Sequence, residues 1–412
     1  MALLLVVAAM ARPADAAAQT TPALPSPLRL ADAIRLASER RAEVEAARAR
    51  TRAGEARPTI VGALEDPMIS PAIDHLPFML NGADVSVTIE QRIPLSGLRG
   101  HRRASALADV DRLRAETTRT ALDVSLEAAS AFLMLHERRR TIDLLNEQLT
   151  FARDVVTAAN ARYAGGNAPQ SDVLRAEVEV ARLSATLAAL GGQGRAAEAM
   201  LNASLGLETD TPVPPLAAVN LDRPLPSWPA VSATLTSRPE LTAGRADIAR
   251  AAADVQVMRD MYRPMATVRT GPSYTMADGR GLMFMVGVSL PLWRGRLRAG
   301  VAEAEAMRAM ADADLQAMTR MIEGDAASAL NELQGARDRQ LAIRDDVVPR
   351  ARAAIDPAVA GYAAGQLPLV SVIEALQALW AIQVDLVVAE IQVGLASVRL
   401  GRAMGSYEGV AP

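Results

Sequence analysis

The second half of the chain repeats landmarks of the first at an offset of 197–199 residues. Arg41-Ala42-Glu43-Val44 returns as Arg238-Pro239-Glu240-Leu241, and Pro67-Met68 as Pro264-Met265. Ile93-Pro94-Leu95 returns as Leu290-Pro291-Leu292, and Ala128-Ala129-Ser130-Ala131 as Ala326-Ala327-Ser328-Ala329. Tyr163-Ala164-Gly165-Gly166 has its counterpart in Tyr362-Ala363-Ala364-Gly365. Such a period is far longer than a solenoid repeat, so each half must be a complete unit of several elements. The chain should therefore fold with approximate two-fold internal symmetry.

Each half reads in the same order. Residues 28–56 carry apolar positions at helical spacing, among them Leu30, Ile34, Val44 and Ala47. A period of two then begins: Val85, Val87 and Ile89 alternate with Ser86, Thr88, Glu90 and Arg92, which describes a strand with one apolar and one polar face. In the second half Leu282, Phe284 and Val286 alternate with Met283, Met285 and Gly287. A weaker strand precedes each, and Asn81-Gly82 and Asp278-Gly279 stand where hairpin turns are needed. Very long helical stretches follow over about 98–163 and 297–362, and some 65 helical residues would reach on the order of 100 Å. Each ends at a Tyr-x-x-Gly turn followed by Pro169 or Pro368, then a last helix.

The expected organisation is a signal segment over 1–18 without a basic leading region, a first repeat over 19–208, a Pro-rich linker over 209–230, a second repeat over 231–406 and a tail over 407–412. The hairpins are expected at about 68–95 and 265–292, and the turns at 163–169 and 362–368. No later stretch reaches about 18 apolar residues without a charge, so no helical membrane anchor is expected. Half of the residues are apolar but only 3% are aromatic, a balance that suits long, thin helix packing. There is no cysteine, hence no disulfide, thiolate metal site or acyl-acceptor thiol. All 44 basic residues are Arg, which reads as coding bias, and a net charge of −3 with interspersed signs marks no nucleic-acid surface.

Four short strands cannot close a barrel alone, and open edges are not tolerated in lipid. Strands of about ten residues with an apolar outer and polar inner face are the outer-membrane pattern, and three chains would supply twelve strands. At this point the residues resemble a known family. The opening Leu28-Arg29-Leu30-Ala31-Asp32-Ala33-Ile34, the strand ends at Ile93-Pro94-Leu95 and Leu290-Pro291-Leu292, and the two turn motifs are similar to TolC-type outer-membrane efflux channels. The turn motifs are Arg162-Tyr163-Ala164-Gly165-Gly166 with Asp172-Val173-Leu174, and Gly361-Tyr362-Ala363-Ala364-Gly365 with Ser371-Val372-Ile373-Glu374. The likeness is nearest to the outer-membrane subunits of resistance-nodulation-division metal and drug pumps.

That resemblance implies an α+β membrane protein: a long α-helical coiled-coil barrel plus a transmembrane β-barrel, four strands per chain and twelve in a homotrimer. It implies an outer-membrane duct with a long periplasmic portion, fed by an inner-membrane pump through a periplasmic adaptor, with no catalysis and no cofactor. Tyr163, Gly165, Gly166, Asn167, Tyr362, Gly365 and Gln366 would form the adaptor-docking tips. Glu374, with Asp172, Ser371 and Asp385 as further candidates, would ring the constriction; Ser371, Glu374, Ala378, Ala381 and Asp385 lie at helical spacing on one face. Val85, Val87, Ile89, Leu282, Phe284 and Val286 would face lipid. Met283 and Met285 would face the lumen, where thioethers could bind a soft cation, but Met also serves as packing and no metal site is assigned. The competing class is a structural coiled-coil protein of the cell envelope without a channel. The duplicated alternating hairpins argue against it, since a stalk has no use for them.

Overall fold

A computed structural model describes residues 24–74, 84–220, 222–275 and 277–408. The expected signal segment, the Asn81-Gly82 turn and the end of the tail lie outside them. In the first half, α1 (Leu30–Arg40) and α2 (Ala42–Gly62) lead into β1 (Met68–Asp74) and β2 (Asp84–Pro94), then α3 (Leu98–Ala164) and α4 (Gln170–Ser204). In the second, α5 (Trp228–Leu235) and α6 (Pro239–Asp260) lead into β3 (Met265–Thr275) and β4 (Gly279–Ser289). There follow α7 (Arg294–Ala342), α8 (Val348–Ala353), α9 (Ile355–Ala363) and α10 (Leu369–Met404).

The four strands form one antiparallel sheet in the order β1-β2-β3-β4, so the two halves join through β2 and β3. Gly279 opens β4 with φ +74°, a conformation Gly adopts without a Cβ clash, and this turns the chain after Asp278. Val87 meets Pro71 on one side, and on the other side the β2–β3 ladder skips it opposite Pro272, which has no N–H to donate. Beside that gap the strands crowd: a Cβ on Gly271 would lie 2.0 Å from the Val87 carbonyl oxygen, so only Gly fits there.

The apolar positions Val85, Val87, Ile89, Leu282, Phe284 and Val286 are all exposed on the sheet. The polar face departs from its expected uniform wetting. Thr88 is only 3% exposed and Glu90 7%. Thr88 is enclosed where β2 and β3 crowd at Gly271. Glu90 is covered by its cross-strand partner Arg269, whose Nε donates to Glu90 Oε2 at 3.0 Å.

Two helix boundaries also differ from expectation. The helix expected over 28–56 is two helices, because Arg41 adopts extended backbone (φ −63°, ψ 132°) between α1 and α2. There it starts α2, pairs with Glu43, and its Nη1 approaches the Ser204 carbonyl at the end of α4 at 3.4 Å. Arg238 does the same at the start of α6: it is bent out of helix (φ −59°, ψ 138°), pairs with Glu240, and donates from Nη1 to the Ala403 carbonyl at 3.0 Å. In both halves an Arg thus satisfies an orphan carbonyl at a helix end, where a cation also suits the helix dipole.

The second difference is the long helix of the second half. Leu98–Ala164 runs unbroken for 67 residues, about 100 Å, and has no Pro. Its counterpart stops at Ala342, passes through a π-helical turn at Ile343–Val347, and continues as the short α8 and α9. Pro349 explains the break, because it cannot donate the bond its position owes to the preceding turn.

Among the described residues, three apolar clusters run along the molecule. The central one joins α1, α3, α4 and α10 around Phe132, Leu133, Leu135, Leu201 and Val398. A second joins α5, α6, α7 and α10 around Val231, Leu241, Ile322 and Leu400. The third, far from the sheet, joins α3, α4 and α10 through Ala152, Val173, Ala176, Leu369, Val372, Leu376 and Trp380. By length and composition α10 is apolar enough to cross a membrane, although Glu374, Asp385 and Glu390 keep every stretch of it short of 18 uncharged residues. Its buried Val372, Leu376, Trp380, Ile391, Leu395 and Leu400 instead pack in these clusters, as in a core helix.

Candidate functional site

At the end of the molecule away from the sheet, two helical turns lie side by side. Both are built alike. After α3, Gly166 has φ +71°, its N–H donates to the Tyr163 carbonyl at 2.9 Å, and Asn167 donates to the Arg162 carbonyl at 2.8 Å. After α9, Gly365 has φ +73°, donates to the Tyr362 carbonyl at 3.0 Å, and Gln366 donates to the Gly361 carbonyl at 2.8 Å. These paired bonds are the Schellman stop, which requires a left-handed residue and so favours Gly. Pro169 and Pro368 then start α4 and α10 in extended backbone. Tyr163, Gly165, Gly166, Asn167, Gly365 and Gln366 are exposed.

The two turns are clamped by a contact that the repeat pattern did not single out. Arg162 Nη1 donates to the Tyr362 carbonyl at 2.5 Å, and its guanidinium carbon sits 4.3 Å from the centre of the Tyr362 ring. This is a cation–π stack across the two halves. Tyr362 is therefore half-buried rather than free on the tip surface. Burial pushes its phenol above the ordinary value, and the nearby Asp172 charge adds to the rise against the opposing effect of Arg162. Arg162 Nε and Tyr362 OH are buried without a hydrogen-bond partner. The signal in the sequence was a departure from symmetry: Arg162 has Gly361 as its counterpart, and a Cβ at Gly361 would meet Leu367 at 2.7 Å.

Just above the turn, α10 separates two faces. Leu369, Val372, Leu376, Leu379 and Trp380 are buried, while Glu374, Ala378, Ala381 and Asp385 are exposed on the other side. Neither Glu374 nor Asp385 has an ion pair among the described residues, so an unneutralised carboxylate face runs up from the tip. Ser371 and Asp172 are only partly exposed, each beside a buried valine, Val372 or Val173, of the apolar seam that joins α3, α4 and α10. Higher in that seam Gln377 Nε2 donates to the buried Glu179 carboxylate at 2.7 Å. The four constriction candidates are thus split: two on the open face, two at its edge. Among the described residues, no group of three or more His, Asp or Glu is placed to hold a metal ion.

A sheet with one apolar exposed face, an unbroken helix of about 100 Å and a turn-tipped far end define an outer-membrane channel subunit. The family "Outer membrane efflux protein" matches residues 79–207 and 230–406, and the chain belongs to that family. It is an outer-membrane protein. The chain is 27% identical over 289 residues to outer membrane efflux protein BepC of Brucella suis, a match covering 68% of this chain and 62% of BepC. It is 26% identical over 406 residues to the pyoverdine export outer membrane protein OpmQ of Pseudomonas putida, covering 90% of this chain and 84% of OpmQ. Its fold is similar to the outer membrane protein VceC of Vibrio cholerae, with a TM-score of 0.77 at 18% identity over 92% of this chain and 97% of VceC.

Proposed function

We propose that this chain is one third of a trimeric exit duct that carries metal ions or small toxic compounds from the periplasm to the exterior in a tripartite efflux system. The observation that carries the proposal is the four-stranded sheet. Among the described residues its edge strands β1 and β4 are each paired on one side only, while its apolar face, with Phe284 68% exposed, is unfit for water. In lipid both problems vanish only on closure, and three copies of four strands close as twelve. A groove of 550 Å³ between α3, α6 and α7, lined by Met258, Met310, Met318, Asp254 and Asp314, is open along one side and offers a neighbouring copy a seat. The duplicated architecture fits the same plan, with the two halves supplying equivalent hairpins and helix pairs.

In this arrangement the adaptor contacts the exposed turns around Gly166 and Gly365, and an inner-membrane pump supplies the cargo. The duct itself performs no chemistry. The tips also form the gate: separating Arg162 from Tyr362 would let their unsatisfied buried groups regain hydrogen bonds, and each such group is worth about 1–3 kcal/mol. Glu374 begins about 8 Å up α10 from the turn. Three copies near a symmetry axis would attract cations and repel anions.

Hexaammine cations applied from the tip side are therefore expected to block single channels in planar bilayers, less so at high salt. Glu374→Gln should abolish most of that block while leaving trimer stability nearly unchanged. Equal block in both proteins would move the constriction to Asp385 or Asp172. A coiled-coil envelope protein without a channel would show no conductance and would fractionate as a periplasmic rod, which would defeat the duct reading outright.

The tips carry their own expectation. Gly365→Val places a β-branched side chain at φ +73° and should cost about 1–2 kcal/mol locally. Efflux and adaptor crosslinking should fall together while the heat-sensitive trimer persists on gels. Undiminished crosslinking in both Gly166 and Gly365 variants would show that the adaptor binds elsewhere.

A further inference from the structure

Where the chain leaves the sheet for its long helices, both halves place a run of arginines that the duct's transport role does not use. After β4 come Leu290, Leu292 and Trp293, the last 77% exposed, and then exposed Arg294, Arg296 and Arg298. After β2 come Leu95 and then exposed Arg99, Arg102 and Arg103. Neither α3 nor α7 has an acidic residue in its first turn, whereas α1, α2, α4 and α6 all do. Cations at a helix start oppose the helix dipole. Among the described residues none of these six arginines has a carboxylate partner; Arg99 uses its Nε on the Gly62 carbonyl at 2.8 Å and leaves the rest of its fork free. Arg99, Arg294 and Arg296 lie in those first turns, and all six side chains stand exposed and open to an anion.

The place of the collar says which anion. It directly continues the exposed apolar band of Phe284, Val286, Val288 and Leu290, at the rim of the sheet from which the helices depart. A Trp beside that rim suits the boundary between acyl chains and headgroups. Guanidinium forks bind phosphate oxygens in pairs, and basic residues near a membrane surface favour anionic lipid. We infer that the Arg294-Arg296-Arg298 run with Trp293, and its counterpart at Arg99-Arg102-Arg103, form a collar that binds the headgroups of anionic phospholipids in the periplasmic leaflet. This rests on the proposal that the strand band faces lipid.

The test uses the full-length protein reconstituted in phosphatidylcholine bilayers containing a small fraction of acyl-brominated phosphatidylglycerol or acyl-brominated phosphatidylcholine. The Trp293 signal is the part of the tryptophan emission lost in Trp293→Phe. Brominated phosphatidylglycerol should quench it as though enriched about fivefold or more beside the protein, the effect of even one well-placed basic residue. Raised sodium chloride should shrink that preference, and R294Q/R296Q/R298Q should bring it close to parity. The single variants R294Q and R298Q should each lower it, which decides the matter if the triple variant does not assemble. Equal quenching by the two brominated lipids in the unmutated protein would overturn the proposal, as would a preference unchanged by the substitutions. If inorganic phosphate abolishes the preference at matched ionic strength, the site binds free phosphate and the lipid assignment is wrong. Absence of quenching by either lipid would overturn the lipid-facing band itself, and the collar with it.

Discussion

Glu240→Gln is expected to lower stability by about 3–5 kcal/mol, because it leaves two buried guanidinium groups short of their counter-charge. Glu240 Oε1 accepts from Arg238 Nη2 at 2.8 Å and from Arg402 Nη2 at 2.7 Å, and its side chain is only 10% exposed. Arg402 also donates to Asp123 at 2.6 Å, and Arg238 to the Ala403 carbonyl at 3.0 Å. One carboxylate therefore ties the start of α6 to the end of α10 and, through Arg402, to α3. Burial by itself would raise the Glu240 carboxyl, but the hydrogen bonds from Arg238 and Arg402 outweigh it and hold the group at about 2. A depressed carboxylate stabilises the fold above its unfolded value near 4.5 and loses that contribution as pH falls toward 2. The shift corresponds to on the order of 3 kcal/mol.

Heat dissociation of the assembled protein should thus move to lower temperature between about pH 4.5 and pH 2. The shift should be much smaller in Glu240→Gln, which starts from a lower value. Glu43 is the internal control. It makes the equivalent pair with Arg41 in the first half, and the Arg41 hydrogen bond also holds its carboxyl at about 2, but it is mostly exposed. Solvent screening should leave Glu43→Gln within about 1 kcal/mol. If the two substitutions had equal effects, burial would not be what makes the second-half network matter.

Placing Arg at Phe284 or Val286 is expected to cost roughly 2–4 kcal/mol per site by forcing a charge into hydrocarbon. Both lie in the middle of β4, on its exposed apolar face. Ser289→Arg at the end of β4 should be mild. Thr88 divides sequence from structure: alternation alone puts it with the wet positions and predicts tolerance. Its enclosure beside Gly271 predicts instead that Thr88→Arg also fails to assemble, by overpacking rather than by lipid exposure. The recovered fraction of heat-sensitive trimer reads all four variants. Equal losses at Phe284 and Ser289 would show that the strand faces are reversed.

Much of the tip was legible because the turn has stringent backbone needs. A left-handed stop after a long helix is supplied by few residues besides Gly, so Gly166 and Gly365 declared their conformation without a structure. The constriction candidates were less legible. The exposure of Glu374 and Asp385 follows from helical spacing, but spacing does not reveal that Asp172 and Ser371 are only partly exposed. Arg162 escaped because its partner is the Tyr362 carbonyl and ring, two hundred residues away in the chain.

The chain's own pattern determined what depends on local periodicity and backbone freedom: strands with an apolar face, long helices and Gly-stopped turns. Period two or 3.6 is imposed by side-chain direction along each element, so it is written in neighbouring residues. Tertiary structure alone decided what depends on pairs distant in sequence: the β2–β3 junction of the halves, the burial of Thr88 and Glu90, the Arg238–Glu240–Arg402 network and the Arg162–Tyr362 clamp. It also decided that a π turn at Ile343–Val347 interrupts the second long helical stretch while Leu98–Ala164 runs on unbroken. Such contacts depend on which surfaces meet once the helices pack, and a one-dimensional pattern carries no record of that meeting.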